Sequence, residues 1–175
     1  MALTKVRAGG YAAGGIIQIQ KTQYTDTTST TINTQTDTSL DHLAVNITPT
    51  STSSIIKLEA MVNGEWAALS PTYNSTWFFY RDSTKLSAPA ASGRAIGILM
   101  GTPITHETNA GSTPEMLYYS YFDTPSTTSQ VTYKVGVYQG SGTNYVWYTN
   151  RTVLDSDGYQ YERGTSFISV AEIAG

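Results

Sequence analysis

Apolar and polar residues alternate in many short segments along the chain. The clearest example is the segment 130–137, where every second residue is apolar: Val131, Tyr133, Val135 and Val137. A period of two indicates a β-strand with one buried face, because successive side chains of a strand point to opposite sides. Similar runs lie at residues 17–21, 42–48, 54–62, 76–82, 94–101, 115–123, 144–149 and 165–174. The pattern therefore predicts about nine strands.

Helical signals are weak by comparison. No window of eleven or more residues places its apolar positions on one face of a helix. The six prolines all fall between the apolar runs, at Pro49, Pro71, Pro89, Pro103, Pro114 and Pro125. A missing N–H does not interrupt a sheet there. Many short strands separated by turn residues are typical of an all-β sandwich or barrel.

The length of 175 residues suits one domain with one core. Four glycines between positions 9 and 15 predict a flexible N-terminal arm over residues 1–15, followed by the folded domain over residues 16–175. Residues 22–39 are rich in Thr, Ser, Asp, Asn and Gln. They could form a long solvated loop, or a polar strand at a sheet edge or on a neighbouring subunit.

Charged residues make up only 13% of the chain, and the net charge is −3. A nucleic-acid-binding protein needs a basic surface for phosphates, so we expect no nucleic-acid partner. The absence of cysteine excludes disulfides, thiolate metal sites and cysteine nucleophiles. No apolar run approaches the roughly 18 residues of a transmembrane helix, so we expect no membrane insertion.

No motif for catalysis, a metal or a cofactor is complete. His106 and Glu107 begin like a zinc-protease helix, but Ala110 stands where the second histidine would be. Residues 155–158 (DSDG) resemble half of a calcium loop, and a tight turn explains them more simply. Nothing in the sequence pairs two carboxylates for glycoside hydrolysis. We therefore expect a non-enzymatic protein without a cofactor or metal.

Three predicted strands carry large rings on both faces, at residues 77–80, 116–122 and 145–148. A strand of an isolated sandwich is normally apolar on one face only. The outer rings must therefore be covered by another subunit, by loops of the same chain, or by a sugar that stacks on them. We favour another subunit.

Five segments, taken in order, resemble the C-terminal domain of bacteriophage tail-fibre and head-fibre virion proteins. They are GIIQIQKT at 15–22, ITPTSTSSII at 47–56, YRD at 80–82, TYKVGV at 132–137 and TSFISVAEIA at 165–174. The opening MALTKV is also similar to the start of many phage virion proteins. The resemblance spans about residues 15–175 and departs from the family pattern around residues 64–75.

The resemblance implies a jelly-roll β-sandwich like the heads of tumour necrosis factor and C1q. It also implies a homotrimer on the surface of a virion, in a fibre, tail or capsid appendage. Within that trimer we predict that four residues lie near the threefold axis: Tyr119, Tyr121, Tyr133 and Val135. Replacing Tyr133 by Lys is expected to dissociate the oligomer.

Two charges lie within apolar strands and are expected to be partly buried. Arg81 follows an aromatic run, and Glu172 lies in the last apolar segment. Because a lone buried charge costs several kcal/mol, each needs a partner, and the two could form a structural ion pair with one another.

Three functions remain open. The first is a trimeric fibre-tip module that binds a host surface glycan or protein through loop residues, namely Tyr73, Asn74, Asn109, Asn144, Tyr159 and Tyr161. Three copies would add avidity to weak single sites. The second is a capsid-decorating protein that binds other virion proteins through its arm, with Leu3, Lys5, Val6 and Arg7 as the attachment residues. A polysaccharide depolymerase is the least favoured.

Overall fold

Two antiparallel sheets face each other across a shared core in the part of the chain that the structure describes, residues 13–102 and 111–175. This computed structural model has eleven strands and one helical turn in those residues. The strands are β1 (Ile16–Tyr24), β2 (Thr28–Ile32), β3 (Thr38–Ile47), β4 (Ile55–Trp66), β5 (Ser75–Arg81), β6 (Thr84–Leu86), β7 (Leu99–Met100), β8 (Glu115–Asp123), β9 (Val131–Gln139), β10 (Tyr145–Thr149) and β11 (Ser166–Ile173). The helical turn is α1 (Ser70–Tyr73), and no helix among these residues is long and apolar enough to cross a membrane.

The first sheet has the order β1-β11-β4-β10-β2, and β8 pairs with the other side of β4. The second sheet has the order β3-β9-β5-β6, with β7 also pairing with β5. The four-strand sets β1-β11-β4-β8 and β3-β9-β5-β6 have the strand order of the two sheets of a jelly roll. The predicted jelly-roll-type sandwich is therefore confirmed, with eleven strands in the described residues where about nine were predicted.

One of the two additional strands, β2, lies in the polar tract at 22–39, and the other is β6. β2 lies inside this tract and pairs with β10 at the edge of the first sheet. Thr has a high β preference, and an edge strand tolerates polar residues on its solvent side. The edge-strand interpretation is therefore right for Thr28–Ile32, and the interpretation of the whole tract as a solvated loop is wrong.

Three tryptophans form the largest buried cluster between the sheets. The ring centroids of Trp66 and Trp147 are 5.4 Å apart, and those of Trp77 and Trp147 are 5.0 Å apart. Each ring is at most 2% exposed. A Cβ atom on Gly64 would lie 2.6 Å from a Trp147 ring carbon, so glycine lets this ring lie flat against β4.

The connection between β10 and β11, residues 150–165, reaches across the first sheet, and we call it the strap. The Leu154 N–H donates to the Gly111 carbonyl, and the Ser112 hydroxyl donates to the Gln160 carbonyl. Because β8 begins beside these contacts and lies on the opposite side of β4 from β10 and β11, the strap has to span β4. It covers one end of the sheet's outer surface.

Candidate functional site

The surface of the first sheet that faces away from the second sheet is rich in exposed apolar side chains. Cross-strand partners in the β1-β11-β4-β8 set share a face. Two rows on this face are Ile19, Ala171, Lys57, Phe122 and Gln23, Phe167, Met61, Tyr118. The most exposed apolar members of the face are Ile19 (60%), Phe122 (58%), Ile16 (55%), Tyr118 (54%) and Met116 (52%). We call this surface the apolar face.

Lys57 and Glu59 on the apolar face neutralise one another, whereas Lys21, in the same cross-strand row as Glu59, is an exposed cation. The Lys57 Nζ lies 2.9 Å from a Glu59 carboxylate oxygen, and the Tyr118 hydroxyl donates to the same oxygen at 2.7 Å. Hydrogen bonds from Lys57 and then from Tyr118 lower the pKa of the Glu59 carboxyl. Tyr118 thus keeps its ring exposed while its hydroxyl is satisfied, an arrangement typical of interface tyrosines.

The outer rings of the second sheet are covered by the chain itself. Phe78 is fully buried although it points away from the core. Its ring packs on Gly136, where a Cβ atom would approach within 2.3 Å, and on Tyr80 at 5.2 Å between centroids. The Lys85 Nζ lies 4.0 Å above its centre. Cover from the same chain therefore explains the two-faced aromatics of β5.

The residues predicted to lie at a subunit interface are mostly in the core of the single chain, and that prediction is wrong. Tyr133 and Val135 are fully buried and Tyr119 is 5% exposed, while Tyr121 is half-buried against the core. Side chains of a strand alternate, so a choice displaced by one residue selects the opposite face. On β8 the exposed rings are those of Tyr118 and Phe122, on the face opposite to Tyr119 and Tyr121. A Lys at position 133 would therefore unfold the domain.

Arg81 and Glu172 do not pair with one another, which corrects the predicted ion pair. The Arg81 Nη1 lies 2.9 and 3.0 Å from the two Asp123 carboxylate oxygens. Glu172 is fully buried and accepts hydrogen bonds from neutral donors: Gln18 Nε2, Thr50 N and Ser54 Oγ at 2.6 Å, and Thr50 Oγ1 at 2.7 Å. Burial alone would raise the pKa of Glu172, but these hydrogen bonds outweigh it and lower the pKa. The acid is satisfied without a cation.

Three of the predicted receptor-contact residues lie at one end of the sandwich. Tyr73 is 58% exposed and Asn74 follows it. The Asn74 carbonyl accepts from Gly140 N at 2.7 Å, and the exposed Asn144 accepts from Thr34 N at 2.9 Å. These hydrogen bonds hold the β4–β5, β9–β10 and β2–β3 connections together.

The other predicted contacts are elsewhere. Tyr159 is fully exposed and Tyr161 is half-buried, both on the strap. Asn109 and the attachment residues Leu3, Lys5, Val6 and Arg7 lie outside the described residues. Those predictions stand as they were made.

The half calcium loop on the strap is held by cations of the chain. The Asp155 carboxylate lies 2.6 Å from Arg163 Nη2 and 3.5 Å from Arg151 Nη1. The Tyr161 N–H donates to the Gly158 carbonyl at 3.1 Å, which closes a turn. Within residues 13–102 and 111–175 no three acidic or histidine side chains are placed to hold a metal ion. His106 and Glu107 lie outside those residues.

A buried carboxyl that the sequence did not suggest lies beside the tryptophan cluster. Glu115 is 6% exposed, and its Oε2, like the Trp147 Nε1, has no hydrogen-bond partner in the described residues. Burial, with a smaller contribution from the charge of Glu65, raises the pKa of Glu115 to about 8. The side chain therefore keeps its proton at neutral pH. In the sequence, Glu115 stands at the start of a predicted strand, and nothing in that pattern indicated that its carboxyl is buried and protonated.

No family model and no curated protein matches the chain. Among solved structures the chain is similar to the VP2 subviral particle of infectious bursal disease virus, with a TM-score of 0.37 and 10% identity. The similarity covers 90% of this chain and 38% of that chain, so this chain spans little more than a third of its length. The similarity is too slight to transfer a function.

Proposed function

We propose that this chain is a non-enzymatic structural module of a bacteriophage particle that works as a homotrimer and contacts the host surface. The resemblance of residues 15–175 to phage fibre domains supports this proposal, and the jelly-roll strand order is compatible with it. The observation that carries it is the apolar face, which the described part of the chain leaves uncovered.

The composition of the apolar face favours a protein partner. Soluble monomers rarely expose a contiguous apolar patch of this kind, and protein interfaces are enriched in Tyr, Phe and Met. Burying a half-exposed ring contributes about 1 kcal/mol at the usual area coefficient. Several such side chains in each of three copies add up to a stable contact, provided that they are buried together.

A second copy of the chain is the partner that fits best. Because Glu59 matches the charge of Lys57, the apolar face carries a single exposed cation without an ion pair among the described residues, Lys21, and does not call for a strongly charged partner. Copies related by a rotation axis can bury the same face in every subunit, and a closed ring leaves no copy unpaired. Three copies follow from the family resemblance.

The oligomeric state tests the proposal directly. In sedimentation velocity at micromolar concentration, the wild-type chain should have a mass near three times 19.0 kDa. Tyr118→Lys should shift it to the monomer, since a charge would have to be buried in each contact. Tyr73→Lys is the matched control, because Tyr73 is 58% exposed and Tyr118 is 54% exposed. It should remain trimeric. A wild-type monomer, or a trimeric Tyr118→Lys, would refute the proposed interface.

A further inference from the structure

A polar groove lies on the outer surface of the second sheet, away from the apolar face. It has a volume of about 270 Å³, near the lower end for small-molecule sites. Its main lining residues are Gln35, Asp37, Lys85, Arg94, Ile96 and Tyr138. They come from the β2–β3 connection, β6, the β6–β7 connection and β9.

One wall is the β6–β7 connection, which lies directly on β5. A Cβ atom on Gly97 would lie 2.6 Å from the Thr76 Cβ, so only glycine allows this close approach. The Ile98 N–H donates to the Trp77 carbonyl at 2.8 Å. A turn closed by the Arg94 N–H and the Ala91 carbonyl, 3.0 Å apart, then brings Arg94 to the rim of the groove.

Lys85 connects the rest of the groove lining, across from the β6–β7 connection. Its Nζ lies 2.7 Å from an Asp37 carboxylate oxygen and 5.7 Å from the centre of the Tyr138 ring. The Lys85 side chain is only 20% exposed, so its ammonium group has a defined position. The half-buried Tyr138 contributes part of an aromatic ring to the groove.

Gln35 lines the groove from the β2–β3 connection, and its backbone has an uncommon conformation. Its φ of 53° lies in the left-handed region, which few residues other than glycine occupy. The Gln35 N–H donates to the Gln139 carbonyl at 2.8 Å, which fixes this conformation. The Gln35 amide side chain therefore lies at the groove, even though glycine would adopt this backbone conformation with less strain.

The chemistry of these groups is that of a site for a charged sugar. We infer that the groove binds an acidic monosaccharide unit, a pyranose that carries a carboxylate. Arg94 has no carboxylate partner within residues 13–102 and 111–175, so its guanidinium is free to form a bidentate pair with the ligand carboxylate. Asp37 and Gln35 can accept hydrogen bonds from the ring hydroxyls, and the Tyr138 ring offers an apolar surface to the sugar ring.

The charge of the groove favours an acidic over a neutral sugar. It holds two cations, Lys85 and Arg94, against the single carboxylate of Asp37. Lys85 is paired with Asp37, and Arg94 has no ion-pair partner in the part of the chain that the structure describes, which leaves one positive charge for the ligand. The groove also borders the end of the sandwich with the exposed loops. A Cβ on Gly140 would lie 4.0 Å from the Tyr138 hydroxyl and 3.6 Å from the Asn74 carbonyl.

This inference rests on the proposed contact with the host surface and assigns it a ligand class and a site. A groove that holds one sugar binds weakly, and three copies would compensate through avidity. Binding is measured by NMR titration of the full-length protein with 3′-sialyllactose, with a hyaluronan tetrasaccharide and with lactose. The two acidic sugars should perturb the signals of groove residues. Lactose should perturb them far less.

Substitutions of two arginines test whether binding depends on the groove or on any exposed arginine. Arg94→Gln should weaken sialyllactose binding roughly tenfold or more, since a charge-assisted bidentate pair is lost. Arg163→Gln, on the strap, should leave it unchanged. Tyr138→Ala should weaken both acidic sugars, and circular dichroism checks that each variant is folded. Equal binding of lactose, no binding of either acidic sugar, or an unaffected Arg94→Gln would overturn the inference.

Failure of this inference and failure of the proposed trimer are distinguishable. Tyr118→Lys should bind sialyllactose in solution as the wild type does, because Tyr118 lies on the other sheet. A wild-type trimer that ignores acidic sugars would refute the groove alone. A wild-type monomer that binds them would refute the trimer alone.

Discussion

Asp123 ends β8 with a carboxylate that is almost completely buried, and it is held by groups from the opposite sheet. Arg81, at the end of β5, makes two hydrogen bonds to it, and the Tyr133 hydroxyl on β9 donates to it at 2.8 Å. Burial, followed by the hydrogen bond to Asp123, raises the pKa of Tyr133. These bonds join the two sheets at one edge.

Removal of the guanidinium should therefore destabilise the domain. Arg81→Ala leaves Asp123 buried with only the Tyr133 hydroxyl, and we expect the free energy of unfolding to fall by about 2–4 kcal/mol. Lys134→Ala is the control, because its partner Asp41 is 73% exposed, and it should change the value by less than about 1 kcal/mol. Urea denaturation measures both. Equal losses for the two variants would contradict a structural role for the buried pair.

Glu115 makes stability depend on pH in a direction opposite to the usual carboxylate. The folded state holds a proton up to about pH 8, whereas the unfolded chain loses it near 4.5. Between these values the folded state binds more protons than the unfolded state. Stability is therefore highest below the lower value and falls as pH rises, by at most about 1.4 kcal/mol per pH unit.

Glu115→Gln should remove this part of the pH dependence. We expect the variant and the wild type to unfold at similar urea concentrations at pH 4.5, and the variant to become the more stable of the two by pH 8. The difference between the two proteins isolates the residue from the other titrating groups. A constant difference over this range would show that Glu115 titrates normally.

Among the elements, the strap depends most on one side chain. The buried Glu65, near the end of β4, accepts hydrogen bonds from Val153 N at 2.7 Å and Thr113 N at 2.9 Å, and from the Thr113 hydroxyl. It therefore fastens both the strap and the segment that leads into β8. The β-pairing of the strap among the described residues is one isolated bridge, between Arg151 and Arg163.

Loss of that carboxylate should release the strap before the sheets. In hydrogen-exchange mass spectrometry, Glu65→Ala should speed exchange in peptides from residues 150–164 by about tenfold or more, since charge-assisted hydrogen bonds contribute about 1.5–3 kcal/mol each. Peptides from β9 should exchange as before. Glu59→Ala, on the same side of β4 but partly exposed, is the matched control. Unchanged strap exchange in Glu65→Ala would mean that other contacts hold it.

In the molecule as a whole, the two sheets differ in what covers their outer surfaces. Tyr80 and Lys85 cover the Phe78 ring, which packs on Gly136, and the β6–β7 connection lies on the same sheet. Among residues 13–102 and 111–175, the strap covers the first sheet at one end, and Tyr118 and Phe122 stay exposed. One sheet thus carries a polar groove, and the other carries the apolar face.

The strand pattern was predictable because alternation depends only on neighbours in the chain. The segments 54–62, 115–123 and 130–137 lie almost entirely within β4, β8 and β9. The run at 94–101 has two residues in a strand, β7, because Gly97 and its neighbours follow β5 as a loop. Local sequence shows that a segment can pair, but it does not show whether a partner edge is available.

The amino-acid sequence by itself determined an all-β sandwich, because the period of its apolar residues and the positions of its prolines are local properties. It could not decide which face of β8 is buried, since both faces carry rings and only packing against the second sheet chooses between them. The partners of Arg81 and Glu172 and the proton on Glu115 were decided by tertiary structure for the same reason. Charges and pKa values depend on distances between residues far apart in the chain, and only the folded sheets set those distances.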